Sequence, residues 1–153
     1  IQQLNTRLSK QAQESTRLLD SVMRGTSDIV FVKDLQGRYV FANPASDKVA
    51  HVEEGGLLGK TDRELLGGQN NFNDDDAKVY RSEKPVISES FTIVNGQKRL
   101  FQSIKSPYKN ESGETIGLLG IARDITPIRQ AEQELRVLLA DGTLNRAQHA
   151  RRT

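Results

Sequence analysis

Ile29-Val30-Phe31-Val32-Lys33-Asp34-Leu35-Gln36-Gly37-Arg38-Tyr39-Val40-Phe41-Ala42 is the stretch that decides the fold class. Two runs rich in β-branched and aromatic residues flank Asp34-Leu35-Gln36-Gly37, whose Asp and Gly are placed as in a tight turn, so the segment reads as a β-hairpin. Asn43-Pro44-Ala45-Ser46 then ends the second strand and opens a short helix through Val49, because Pro suits a first helical turn and Asn or Ser can cap it. Upstream, residues 1–24 lack Gly and Pro, and Ile1, Leu4, Leu8, Leu18 and Val22 follow a 3-4 spacing. Gln11 and Ser15 hold the intervening seam positions, so the segment is an amphipathic helix that either self-associates as a short coiled coil or packs on its own domain. Gly25 is its expected stop, and Leu19 and Met23 lie beside the stripe.

Downstream, Gly55, Gly56 and Gly59 punctuate a loop, and Thr61-Asp62-Arg63-Glu64 has the spacing of a capping box that starts a brief helix at Leu65-Leu66. Asn73-Asp74-Asp75-Asp76 leads into a helix over 77–84, with acids at its start and Pro85 after it. Three strands follow, over 87–94, 98–106 and 115–125, joined by Asn95-Gly96 and by Asn110-Glu111-Ser112-Gly113. Thr126-Pro127 breaks the last strand, and Ile128, Ala131, Leu135 and Leu138 give the next helix its 3-4 spacing, with Gly142 as a candidate interruption. The order implies an α+β fold built on antiparallel hairpins. The expected parts are an N-terminal amphipathic helix over 1–27, a central unit over 28–126 and a C-terminal linker helix over 127–153.

Composition narrows the function. Of 153 residues, 35% are hydrophobic and 27% charged, which suits one domain with appendages. The longest apolar runs, such as Ile29 to Val32, span four residues, whereas a membrane-crossing helix needs about 20. The chain has no cysteine, which excludes disulfides, thiolate metal sites and cysteine-based catalysis. Both ends carry an excess of two bases, and the middle carries an excess of two acids, against the pattern of a nucleic-acid domain. The start at Ile1 reads as a piece of a longer protein.

In combination, residues 31–45, Gly59-Lys60-Thr61-Asp62, Gly113-Glu114-Thr115-Ile116-Gly117 and Gly120-Ile121-Ala122-Arg123-Asp124-Ile125-Thr126 resemble a PAS domain. This is the sensory module of bacterial histidine kinases, diguanylate cyclases and related signalling proteins. The resemblance covers about residues 28–126, and Arg129 to Leu135 looks like the helix that leads to an output domain. It implies a five-stranded antiparallel sheet with short helices over one face and a central pocket. The composition makes the cytoplasm the default compartment, and the resemblance implies a homodimer inside a parent kinase or cyclase, membrane-anchored or free, with Leu4, Leu8, Leu18, Val22 and Leu135 as its seam. Signal would pass through the end helices, with Asp124 and Thr126 at the relay junction.

Strand parity and that resemblance together place Phe91, Ile93, Leu100, Gln102, Ile104, Leu118, Gly120 and Ala122 inward, with Tyr80 on the lid helix. Gln102 facing a core needs a hydrogen-bond partner, which a small ligand, a water or the backbone supplies. A covalent flavin is excluded by the missing cysteine, and the absent Trp counts against a non-covalent one. Related haem sensors place a His on the long internal helix, and this chain has none there. No resident cofactor or metal site is therefore identified. His51 reads as a surface residue, and the Asp74-Asp75-Asp76 run reads as helix-start acids rather than a calcium loop. His149 lacks the acid that follows a phosphoacceptor His, since Ala150 stands there. With no phosphate loop or Ser/His/Asp set, a regulatory rather than catalytic role is expected.

Overall fold

The computed structural model describes residues 2–66 and 73–152, and the side chains of Leu66, Asn73, Asp74 and 143–152 are outside that description. The elements are α1 (Gln2–Gly25), β1 (Ile29–Asp34), β2 (Tyr39–Ala42), α2 (Pro44–Val49), α3 (Asp62–Leu66), α4 (Asn73–Ser82), β3 (Val86–Val94), β4 (Gln97–Lys109), β5 (Thr115–Asp124) and α5 (Thr126–Arg152). The strands form one five-stranded sheet in the order β2-β1-β5-β4-β3, with every pairing antiparallel. α5 continues through Gly142, because a single Gly costs a helix only about 1 kcal/mol.

Local chemistry accounts for most of the joints. In the β1–β2 turn the Asp34 carboxylate accepts the backbone N–H groups of Gln36 and Arg38, both at 2.9 Å, and Gly37 takes φ +79°. Asn95 and Gly96 both have positive φ (50° and 77°), as a two-residue hairpin requires. The capping box forms in both directions: Glu64 N–H donates to Thr61 Oγ1 at 3.2 Å, and Thr61 N–H donates to Glu64 Oε2 at 3.4 Å.

The sheet has a covered inner face and an open outer face. α4 packs against β4, β3 and β5 on the inner side, and α2 packs against β1. Paired residues of antiparallel strands share a face, so the pairs Phe31–Gly120, Lys33–Leu118, Lys105–Gly120, Ser103–Ala122 and Ser88–Ser103 define the inner one. Leu118, Gly120 and Ala122 therefore point inward. Phe91, Ile93, Leu100, Gln102 and Ile104 do not, which corrects the parity read from the sequence. The cause is a bulge: Tyr108 pairs with Gly117 and Lys109 with Thr115, leaving Ile116 as an extra residue. One inserted residue turns every side chain beyond it to the other face. Phe91, Ile93 and Ile104 thus stand 62%, 64% and 43% exposed, while Lys105 is buried.

Candidate functional site

The inner face carries ions. Lys33 of β1 and Lys105 of β4 are 2% and 5% exposed and reach the same region from strands separated by β5. Lys33 Nζ lies 2.5 Å from Asp62 Oδ2 and 3.0 Å from Asp76 Oδ2. Lys105 Nζ lies 2.8 Å from Asp76 Oδ1, so the one carboxylate bridges both ammonium groups. Tyr39 donates its hydroxyl to Asp62 Oδ1 at 2.6 Å. Its own pKa is pushed up, first by burial and then by the negative charge and hydrogen bond of Asp62, so it stays a neutral donor. The lysine is flanked by aromatic rings, with Nζ 5.4 Å from the Phe31 centroid and 5.1 Å from that of Tyr39. Gly120 exists here for space: a Cβ would lie 2.2 Å from Phe31 Cζ.

α4 supplies the opposite wall. Besides Asp76, it places Asp75 Oδ2 2.7 Å from the Ser88 hydroxyl, which lies 3.0 Å from that of Ser103. The acids in the first turn of this helix are thus more than helix-start charges, since Asp75 and Asp76 bind specific strand residues. Tyr80 is half-buried on α4 and donates to the Asp34 carbonyl at 3.4 Å, and burial and the nearby Asp76 and Asp34 raise its pKa. Among the described residues, no cluster of three or more His or acidic side chains is arranged to hold a metal ion, and His51 is exposed with φ 57°. His149 lies outside the described side chains.

Two junctions connect this face to the end helices. At the exit, the Asp124 carboxylate accepts Arg99 Nε at 2.7 Å and the Thr126 N–H at 2.9 Å, and Thr126 Oγ1 accepts the Leu100 N–H at 2.8 Å. Partial burial works to raise the Asp124 pKa, but the hydrogen bonds from Thr126 and Arg99 outweigh it and hold the carboxyl below its ordinary range. At the entrance, Asn43 is 1% exposed. Its Oδ1 accepts the N–H groups of Val30 and Ser46 and the Ser46 hydroxyl, and its Nδ2 donates to the carbonyls of Asp28 and Met23. Both junctions lie at one end of the sheet, because Ile29 pairs with Ala122 and Arg123 reaches Asp28 at 2.9 Å.

The sequence pointed to Asp124 and Thr126 but missed Lys33, Tyr39, Asp62, Asp76 and Lys105. The residues expected to form a seam, Leu4, Leu8, Leu18, Val22 and Leu135, are all more than half exposed, and no residue of α1 is buried.

A sheet in this strand order, clasped by short helices and entered and left by long ones, has known counterparts. The PAS fold family matches residues 23–130. The chain belongs to the PAS family. It is 34% identical over 117 residues to a diguanylate cyclase of Vibrio cholerae, an alignment covering 69% of this chain and 35% of the cyclase. It is 29% identical over 123 residues to the methanogenesis regulatory histidine kinase FilI of Methanothrix harundinacea, covering 79% of this chain and 14% of the kinase. Among solved structures, the phage VqmA–DPO complex superimposes with a TM-score of 0.67 at 20% identity, over 86% of this chain and 62% of the other. The PAS chain thus corresponds to a segment of signalling proteins much longer than itself. No helix among its described residues is long and apolar enough to cross a membrane.

Proposed function

We propose that this chain is a cytoplasmic sensory module that reads occupancy of its inner face and relays the change through α5 to a kinase or cyclase output domain. The supporting observation is the exit junction. β4 carries Lys105 on the inner face and, six residues earlier, Arg99, which grips Asp124 at the end of β5, two residues before α5. A shift of β4 therefore acts on both ends of one strand. The relatives support an output of kinase or cyclase type, since a PAS unit is itself non-catalytic and sits within such parents. The exposed stripe of α1 supports a homodimer in which the end helices of two copies lie together.

Native mass spectrometry of the purified chain, compared with its denatured mass, tests this reading. A dimer retaining a small non-covalent mass is the expected result. A second reading, a ligand-free dimerisation spacer, is favoured by the way Asp76 already satisfies both lysines. A dimer without added mass, whose melting temperature is unmoved by a small-molecule extract of the expressing cells, would select the spacer and overturn the sensor.

A further inference from the structure

We infer that β3 pairs antiparallel with β3 of a second copy of this chain, centred on Ser90, so that two five-stranded sheets join edge to edge across a two-fold axis. The inference names the interface of the homodimer in the sensory reading, and it rests on that reading for its consequence at α5.

The two edges of the sheet are finished differently. β2 is four residues long, and bridges from Arg38 to Thr61 and from Tyr39 to Leu58 cover its outer side. β3 is nine residues long, and among the described residues no backbone hydrogen bond reaches it from the side away from β4. Exposed edges are ordinarily guarded by Lys, Pro, a bulge or shortness. β3 instead runs in unbroken register with β4 from Val86 to Val94, and Glu89 is its one charged residue. The Asn95-Gly96 turn closes Val94 on Gln97, which makes that pair a hydrogen-bonded one. By alternation, Val86, Ser88, Ser90, Thr92 and Val94 turn their backbone groups to β4. Ile87, Glu89, Phe91 and Ile93 turn theirs to the bare edge.

The strand's own sequence selects the partner. Val86-Ile87-Ser88-Glu89-Ser90-Phe91-Thr92-Ile93-Val94 reads nearly the same from either end. Antiparallel pairing about Ser90 sets Val86 against Val94, Ile87 against Ile93 and Ser88 against Thr92 of the second copy. The same register sets the edge-facing residues against each other, Ile87 with Ile93 and Glu89 with Phe91, so each exchanges both backbone groups. The small hydroxyl residues fall in the non-hydrogen-bonded pairs, where side chains approach most closely. Charge agrees with this centre. Lys98 Nζ lies 4.2 Å from the Phe91 ring centroid, so Glu89 of the second copy, opposite Phe91, meets a cation. A centre at Glu89 would oppose two carboxylates, and a centre at Phe91 would set Ile87 against the Asn95 turn. With the β2 edge covered, the pairing closes as a dimer and does not propagate.

The consequence reaches the exit helix. Arg129 of α5 holds Glu89 at 2.8 Å, and Glu89 lies next to the residue on the two-fold axis. The pairing therefore sets the first turns of two α5 helices beside that axis, on the same side of the joined sheet.

Because the chain has no cysteine, one introduced thiol reports the register. In Ser90→Cys the two Cα atoms at the axis would stand about 4.5 Å apart, within disulfide range. In Thr92→Cys they would stand about 13 Å apart along the strands, out of range. Mild oxidation of the full chain should convert Ser90→Cys to a linked dimer and leave Thr92→Cys unlinked on a non-reducing gel. Equal linking of the two, or none at Ser90, would overturn the pairing. If Ser90→Cys does not fold, the exposed Phe91 decides by the sign of its replacement. Phe91→Glu sets two carboxylates opposite each other, whereas Phe91→Lys sets an ammonium opposite Glu89. Sedimentation should show the first dimer dissociating at a concentration about tenfold higher than the second. Equal dissociation, or a native chain that stays monomeric, counts against the inference. A Ser90-linked dimer that retains no small molecule and ignores a cell extract leaves the pairing standing and removes the sensory reading. A ligand-holding dimer that does not link at Ser90 does the reverse.

Discussion

The two faces of the sheet depart in opposite directions from the roles an amphipathic sheet ordinarily gives them. The face covered by helices holds Lys33, Lys105, Ser88 and Ser103 beside its apolar Phe31, Phe101 and Leu118, while the face open to solvent displays Ile87, Phe91, Ile93, Ile104 and Ile121. A soluble sheet commonly hides its apolar side and wets the other. Here the covered side is made habitable for charge by pairing: each lysine meets a carboxylate from a helix, and the lysine stems supply apolar surface of their own. The open side resembles one half of an interface. Burial and hydrophobicity thus coincide only in part on this sheet.

The strongest way to break the comparison is to discharge the inner face. Lys33→Met leaves Asp62 and Asp76 each short of a partner, and urea denaturation should show a loss of about 3–5 kcal/mol. The double variant Lys33→Met/Asp62→Leu should recover part of that, since an apolar pair can replace an ionic one. If the single change cost nothing, the buried ions would not be holding α3 and α4 to the sheet.

Gly120→Ala comes next. Its methyl would collide with the Phe31 ring, and overpacking of this kind costs about 1–3 kcal/mol, to be read as a lowered melting temperature. An unchanged melting curve would show that Phe31 can leave its place above β5.

A smaller effect separates the exit junction from both faces. The folded-state pKa of Asp124 is depressed, so its contribution is complete above the unfolded-state value of about 3.9 and is lost as pH falls through the folded value. Asp124→Asn should therefore cost under about 1 kcal/mol at neutral pH and flatten the acid limb of the stability profile. Parallel acid limbs for the two proteins would refute the depressed value.

The outer face should respond least in stability and most in association. Phe91→Ser/Ile93→Ser should alter unfolding by only about 0.5 kcal/mol if that face stays open. Leu8→Glu, on the α1 stripe, should shift a dimer toward monomer in light scattering. A large loss of stability from the strand double variant would mean that something covers the outer face.

Local grammar was readable in the sequence, and facing was not. Asp34 to Gly37, Asn95-Gly96 and Thr61 to Glu64 act through neighbours in the chain, so their turns and capping box announce themselves. Strand β4 offers two alternations, Leu100-Gln102-Ile104 and Arg99-Phe101-Ser103-Lys105, and the more apolar one points outward. The bulge at Ile116 decides between them, and nothing in the Asn110 to Gly113 turn announces it. The ionic site was hidden for a related reason. Lys33 meets its acids 29 and 43 residues away, beyond any periodic signal. Asp124 and Thr126 were visible because they lie within a short run that resembles the family.

Asn43 draws these threads to one atom group. Its oxygen receives three donors from β1 and α2, and its nitrogen serves two carbonyls at the end of α1 and the linker behind it. A carboxylate could do only the first of these tasks and an ammonium only the second. Because oxygen and nitrogen share one rigid plane, a displacement of the end of α1 that tilted one would tilt the other. It would be felt as a twist at the cap of α2 and the first residues of β1.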